Sequence, residues 1–142
     1  MNTVFEQLLY TTIRIVCKNN EGNITSIGTG FLLSRPVGEN NYKLYLVSNK
    51  HVLMGTPNIA ISFTYKENGK PKHGRKQEFN IQGVDQVVKG HPNPDVDIAV
   101  MDCTEIFIAM EDKLYYKYVD YSMLAEFNEP ELSVAENVYF VG

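Results

Sequence analysis

A histidine, His51, and an aspartate, Asp97, have residue types that suit acid–base chemistry. His51 lies in "LVSNKHVL", where an apolar strand pattern gives way to a turn, and Asp97 lies in "DVDIAVM". An imidazole group has a pKa of about 6.5, so it can both accept and return a proton at neutral pH. A carboxylate beside it fixes which ring nitrogen carries the hydrogen. The pair is therefore a candidate general base with an orienting acid.

Asp95 is a rival for the role of the acid. Residues i and i+2 of a strand face the same side, so strand alternation does not separate Asp95 from Asp97. Asp95 also follows Pro94 directly, which suits a residue at the start of a strand. His91 and His73 lie in the turn contexts "KGHPN" and "PKHGRK", and we expect both to be solvated.

A metal centre is the alternative use of the same residue types. It would be assembled from His51, His91, Asp95 and Asp97. Their spacing matches no established metal-ligand pattern, so we expect no metal at this position. No other cofactor is expected either.

Gly28 and Gly30 lie in "GTGFLLS", inside a segment that otherwise has the composition of a strand. A Gly-x-Gly inside a strand marks a bulge or a close approach of the backbone to another part of the chain. It is not a dinucleotide-binding loop here, because no helix pattern follows it.

Short β-rich segments separated by turn clusters make up the chain from residue 12 to residue 103. Between two of them, Asn68-Gly69 is a hairpin signal, because both residues tolerate positive φ. Such a series of short strands favours an antiparallel barrel or sandwich. The predicted strands are 12–18, 24–34, 42–49, 58–65, one or two within 76–89, and 95–103.

The flanks of this series have a different pattern. Apolar residues at helical spacing predict a short helix over 2–10, and the segment 104–127 is expected to be a helical or irregular connector. Residues 134–142 begin another strand. We expect the whole chain, 1–142, to form a single domain, since its length suits one hydrophobic core.

Three fragments occur in an order that resembles the trypsin-like (chymotrypsin-fold) serine peptidases. They are "GTGF" at 28–31, "SNKH" at 48–51 and "DIAV" at 97–100. The family has a "GxGF" strand, a Ser/Thr-x-x-His turn, and Asp-Ile-Ala followed by an aliphatic residue. The resemblance implies an all-β fold in which this chain is an antiparallel six-stranded β-barrel, the first of the family's two barrels.

The resemblance also implies roles for individual residues. His51 would be the general base, and Asp97 would hold the imidazole in the right tautomer. The match to Asp-Ile-Ala is the only feature that selects Asp97 over Asp95. Ser48 would make a structural hydrogen bond in the histidine turn, and Gly28 and Gly30 would support the site.

The family's nucleophile, a serine in a "GxSGGP" context, has no counterpart in the sequence. The serines are Ser26, Ser34, Ser48, Ser62, Ser122 and Ser133, and none has that glycine context. We therefore expect this chain to be the N-terminal half of such a peptidase, inactive alone. A peptide or protein would be its substrate, and the second barrel or a complementary chain would be its partner.

Composition limits the other function classes and the compartment. The 142 residues carry a formal net charge of −4, which argues against general nucleic-acid binding. No apolar run approaches the ~20 residues needed to span a bilayer, so no membrane association is expected. The N-terminus does not have the form of a secretory signal. Cys17 and Cys103 lie in apolar runs and are expected to be reduced and buried, which favours a cytoplasmic setting.

A non-catalytic role is the competing interpretation. A lone first barrel would expose the apolar surface that the second barrel covers, and such patches favour association. The chain would then be a protein-interaction module, able to form a homo-oligomer or bind a complementary chain. The basic run "KPKHGRKQ" (70–77) is expected to be a solvated hairpin tip.

Overall fold

The computed structural model describes residues 11–120, which fold mainly as antiparallel β-sheet. The all-β prediction is therefore confirmed. The strands are β1 (Thr12–Lys18), β2 (Ile24–Pro36), β3 (Tyr42–Ser48), β4 (Asn58–Glu67), β5 (Lys70–Gln82), β6 (Lys89–Gly90), β7 (Ala99–Asp102), β8 (Leu114–Tyr115) and β9 (Val119–Asp120). The helices are α1 (Lys50–Leu53), α2 (Val84–Val87) and α3 (Thr104–Met110).

The first four long strands match the sequence-based prediction closely, with small differences at their ends. The connector predicted from residue 104 begins with α3 and continues through β8 and β9, as far as it is described. The helix predicted over 2–10, the connector beyond residue 120 and the strand predicted over 134–142 lie outside the described residues.

The strands form one sheet in the order β5-β4-β1-β2-β3-β7-β6. Neighbours along this path are antiparallel; β8 adds to β4, and β9 pairs with β2 in parallel. The two ends of the path, β5 and β6, follow each other along the chain, and α2 between them contacts both β4 and β7. Within residues 11–120 no strand pairing joins β5 to β6, so the closed six-stranded barrel remains a prediction.

Alternate side chains of the strands point into one apolar core. In β1 the buried residues are Ile13, Ile15 and Cys17, with more exposed residues between them. Fully burying an aliphatic side chain contributes about 1.5–3 kcal/mol relative to leaving it in water. Other strands and α1 complete the core with Leu32, Leu44, Leu46, Leu53, Ile59, Ile61 and Met101.

Both cysteines are buried free thiols. Burial raises the pKa of the Cys103 thiol to about 12, so this group stays neutral at physiological pH. A neutral thiol is a poor nucleophile, and Cys103 therefore acts as a small apolar residue of the core.

The turn between β4 and β5 confirms the predicted hairpin. Asn68 and Gly69 both have positive φ, 54° and 76°, as the tight primed turns of hairpins require. The basic run predicted at a hairpin tip begins β5, and its described side chains are mostly exposed.

The strand predicted over 95–103 is shorter than expected, because β7 begins only at Ala99. Residues 91–98, called the acid loop below, form an irregular segment that is closed by a hydrogen bond of 2.8 Å from His91 N to Ile98 O. Asn93 shapes its interior: its side-chain Oδ1 accepts from Asp95 N at 2.9 Å, and its carbonyl accepts from Val96 N at 3.1 Å. Local hydrogen bonds of this kind compete with strand pairing, which explains the late start of β7.

Candidate active site

His51 is carried by α1, a single helical turn that follows β3 directly. Val52 and Leu53 of this turn are buried in the core, while His51 is exposed to solvent. The backbone amides of Val52 and Leu53 both donate to the carbonyl of Asn49 at 3.1 Å, which starts the turn. The two apolar residues thus anchor α1 and leave the imidazole on the surface.

The structure brings His51 and Asp97 together although they are far apart in the sequence. The distance from His51 Nδ1 to Asp97 Oδ2 is 2.5 Å, and the backbone N of His51 donates to Asp97 Oδ1 at 3.1 Å. Both oxygens of the carboxylate therefore face the same residue. The His51 side chain is 71% exposed and that of Asp97 48%, so the pair lies on an open surface.

The contact with His51 governs the electrostatics of Asp97. The hydrogen bond from the imidazole lowers the pKa of the Asp97 carboxyl below its ordinary value. Desolvation opposes this effect and is the next largest influence, while the backbone amides of His51 and Lys50 add smaller contributions that also lower the pKa. Asp97 is therefore ionised at neutral pH and acts as an acceptor. His51 must then carry a hydrogen on Nδ1, which leaves Nε2 of the neutral ring as a proton acceptor.

Asp95 and His91 do not join this pair. Asp95 is exposed, and its backbone N bonds to the side chain of Asn93 within the acid loop. His91 Nδ1 accepts a hydrogen bond from Asn93 N at 3.0 Å, which makes it part of the same loop. Neither aspartate lies in a strand, so strand alternation does not apply to this pair of residues.

No group of three His, Cys, Asp or Glu residues in the described part of the chain is placed to hold a metal ion. The set of four residues considered from the sequence as a metal centre is therefore not assembled as one. The contact between the imidazole of His51 and the carboxylate of Asp97 suits proton transfer.

Ser48 and the two glycines lie beneath α1. Ser48 is buried, and its hydroxyl donates to the carbonyl of Thr29 at 2.6 Å, which ties the end of β3 to β2. A Cβ added at Gly28 would lie 2.6 Å from Val52 Cγ2, and one added at Gly30 would lie 2.6 Å from the Val47 carbonyl oxygen. Contacts this short do not occur with real side chains, so both close approaches require glycine.

Asn49, Lys50 and Asn93, which were not predicted from the sequence as site residues, take part in the hydrogen bonds that join α1 to the acid loop. Asn49 Nδ2 donates to the Asp97 carbonyl oxygen at 2.9 Å, and Lys50 Nζ donates to the Asn93 carbonyl oxygen at 3.0 Å. The available signal was their position: Asn49 and Lys50 immediately precede His51, and Asn93 lies between two prolines close to Asp97.

The described residues do not place a nucleophile beside His51. Across residues 11–120, no serine or cysteine side chain hydrogen-bonds to the imidazole. The hydroxyl of Ser48 is committed to Thr29, and Ser34 is buried. A cleft of about 520 Å³ lies over β1, β4 and β5, away from His51 and Asp97, and it includes Arg14, Ser62 and Lys76.

Comparisons with known proteins add no family. No protein-family model matches this chain, and searches of curated proteins and of solved structures also give no match. In the part of the chain that is described, no helix has the length and apolar character needed to cross a membrane.

Proposed function

We propose that this chain is the first-barrel half of a trypsin-like serine endopeptidase, in which His51 is the general base and Asp97 the orienting acid. The observation that carries the proposal is the contact of 2.5 Å between His51 Nδ1 and Asp97 Oδ2. It joins the residues of two motifs, "SNKH" and "DIAV", that the resemblance assigns to these roles.

The proposed reaction is acyl transfer from a peptide bond. A serine supplied by a second unit attacks the carbonyl carbon of the substrate, and His51 Nε2 accepts the hydroxyl proton. The resulting imidazolium is stabilised by ionised Asp97 and gives the proton to the leaving amine. Water then releases the acyl group by the same base catalysis.

The open position of the pair supports a need for a second unit. Substrate sites are usually concave and bury most of their ligand, whereas His51 is 71% exposed. The second barrel would supply the nucleophile, the oxyanion-binding amides and the other wall of the cleft. The buried free thiols favour a reducing compartment, which supports a cytoplasmic location.

The test is covalent labelling with a fluorophosphonate probe. The 142-residue chain alone is expected to remain unlabelled. The product of the complete reading frame is expected to be labelled on a serine in a glycine-rich turn. His51→Ala and Asp97→Asn should each slow its peptide hydrolysis by about 10⁴-fold or more, since both belong to one catalytic unit.

Asp95→Asn is the matched control for Asp97→Asn, because Asp95 is exposed and its hydrogen bond to Asn93 comes from its backbone N, which the substitution keeps; it should retain most of the activity. Labelling of the 142-residue chain alone would contradict the proposal that a second unit supplies the nucleophilic serine. Absence of labelling in the full-length product would contradict the peptidase function itself.

A second candidate is a non-catalytic trypsin-like barrel that acts as a protein-interaction module. It is favoured by large apolar side chains that are exposed, among them Ile24, Ile27, Met54, Val87, Ile98 and Ile108. Exposed apolar surface favours association with another chain or with a second copy. Light scattering of the 142-residue chain at high concentration tests this function: a dimer is expected, and a monomer would count against it.

A further inference from the structure

Asp97 sits in a part of the acid loop that has no regular secondary structure. Residues 96–98 belong to no helix or strand, and the carboxylate is 48% exposed. Neither strand pairing nor close packing therefore fixes its position. A polar contact this open to solvent contributes little to stability, so the hydrogen bond between His51 and Asp97 does not by itself hold the loop in place.

Two side chains next to His51 make the additional bonds. The amide of Asn49 does not cap α1, and it instead donates to the carbonyl of Asp97 at 2.9 Å. The ammonium of Lys50 donates to the carbonyl of Asn93 at 3.0 Å. Three consecutive residues, 49–51, thus bind the acid loop at two residues: Lys50 binds Asn93, and Asn49 and His51 bind Asp97.

The path of the Lys50 side chain is shaped by its surroundings. A Cβ added at Gly90 would lie 3.1 Å from Lys50 Cε and 3.6 Å from Lys50 Cδ, so the aliphatic stem lies directly on the glycine. Met54 Sδ lies close to the same point. Contact along the stem restricts the rotamers of this long side chain and reduces the entropy lost when its ammonium binds.

We infer that Asn49 and Lys50 are positioning residues, which clamp the acid loop to α1 and hold the Asp97 carboxylate against the His51 imidazole. The inference rests on the proposed function, because it concerns the pair that would act as base and orienting acid. Neither residue touches the reacting atoms. Their effect passes through the backbone of the acid loop, at Asn93 and at Asp97.

The test compares Asn49→Ala and Lys50→Met with the unchanged 142-residue chain by NMR. Solvent exchange of the His51 Nδ1 proton requires the pair to open. Losing one clamp bond should speed that exchange roughly two- to tenfold, as expected for an ordinary hydrogen bond. Each variant should also move the pKa of Asp97 upward toward its ordinary value, because the lowering depends on a close imidazole. Carbon-13 titration of the carboxyl group reports this value.

Two further variants separate positioning from charge. Lys50→Arg keeps a donor on a long stem and should restore slow exchange relative to Lys50→Met. Lys89→Met removes the same charge from an exposed residue beside Gly90, and it should leave both readouts unchanged. Asn49→Ala alters no charge. A faster exchange of the His51 Nδ1 proton or a higher pKa of Asp97 in this variant therefore cannot come from the loss of a charge.

Exchange rates and Asp97 pKa values equal to those of the unchanged chain, in both folded variants, would overturn the inference. Either variant alone decides the matter if the other fails to fold. The measurement needs no substrate and no nucleophile. A negative result in serine labelling would therefore contradict the peptidase function. It would not decide whether Asn49 and Lys50 position Asp97.

Discussion

The sheet core and the acid loop are held by different kinds of interaction. In β1 and β4, aliphatic side chains such as Ile15 and Ile61 are completely buried. In the acid loop, Asp95 and Asp97 are exposed, and the order comes from single hydrogen bonds of 2.8–3.1 Å. The scaffold thus depends on apolar burial and the site on directed polar contacts.

Stability and site geometry are therefore separable in this molecule. A buried core residue contributes several kcal/mol to the free energy of unfolding, whatever its distance from the site. An exposed hydrogen bond contributes little to that free energy but fixes the relative orientation of the two groups it joins. Substitutions in the core should therefore change the free energy of unfolding. Those around the acid loop should change proton chemistry at nearly constant stability.

The largest expected effect is that of Ile61→Ala in β4. Ile61 is fully buried, so truncation removes apolar contacts and leaves a cavity, at a cost of about 2–5 kcal/mol in the free energy of unfolding. Urea denaturation measures it. Ile27→Ala is the matched control, since Ile27 is 54% exposed, and it should cost only about 0.5 kcal/mol. Equal losses in both variants would break the proposed contrast between core and surface.

A smaller loss is expected for Gly30→Ala in β2. The added Cβ would lie 2.6 Å from the Val47 carbonyl oxygen, a backbone atom that is fixed in β3. Such overpacking costs typically about 1–3 kcal/mol, which urea denaturation resolves. Gly90→Ala is the control, because there the nearest atom is the flexible Lys50 Cε at 3.1 Å. A Gly90 variant that loses as much stability as the Gly30 variant would contradict this explanation.

The smallest effect on stability is expected for Asp97→Asn, and it should depend on pH. The pKa of Asp97 is lower in the folded state than its ordinary value of 3.8. The carboxylate therefore adds stability above that value and loses it as the pH falls through the folded-state pKa. The difference in thermal midpoint between parent and variant should shrink as the pH falls below about 3.8.

Asp95→Asn removes the same charge two residues earlier and serves as the control. This variant keeps the contact between Asp97 and His51, so it should keep the pH dependence that this contact gives the parent. A difference in thermal midpoint between the parent and Asp97→Asn that stays constant across the acid range would show that the contact with His51 does not stabilise the Asp97 carboxylate.

β-rich segments bounded by turn clusters explain why β1 to β4 were predictable. In β1, buried apolar residues alternate with more exposed ones, and the turn clusters on both sides define its limits. The strand predicted over 95–103 begins later than expected, at Ala99, because Asn93 satisfies the amides of Asp95 and Val96 locally. Such competition between side chain and backbone leaves little trace in apolar periodicity.

The candidate site was predictable only in part. The sequence proposes His51 and Asp97 through the motifs that hold them, and the structure places them in contact. Asn49 and Lys50 were not found, because their partners are backbone carbonyl groups, which every residue has. No pattern of residue types marks such a bond before the chain is folded.

The contact between Gly28 and Val52 makes two distant positions of the chain interdependent. A methyl group at position 28 would lie 2.6 Å from Val52 Cγ2. We expect Val52 to move in response, and with it α1 and the imidazole of His51. A larger side chain at position 28 is thus compatible with an unmoved His51 only when the side chain at position 52 is smaller in the same protein. A substitution at position 28 that is harmful alone is expected to be tolerated together with a smaller residue at position 52. The two positions are therefore expected to covary.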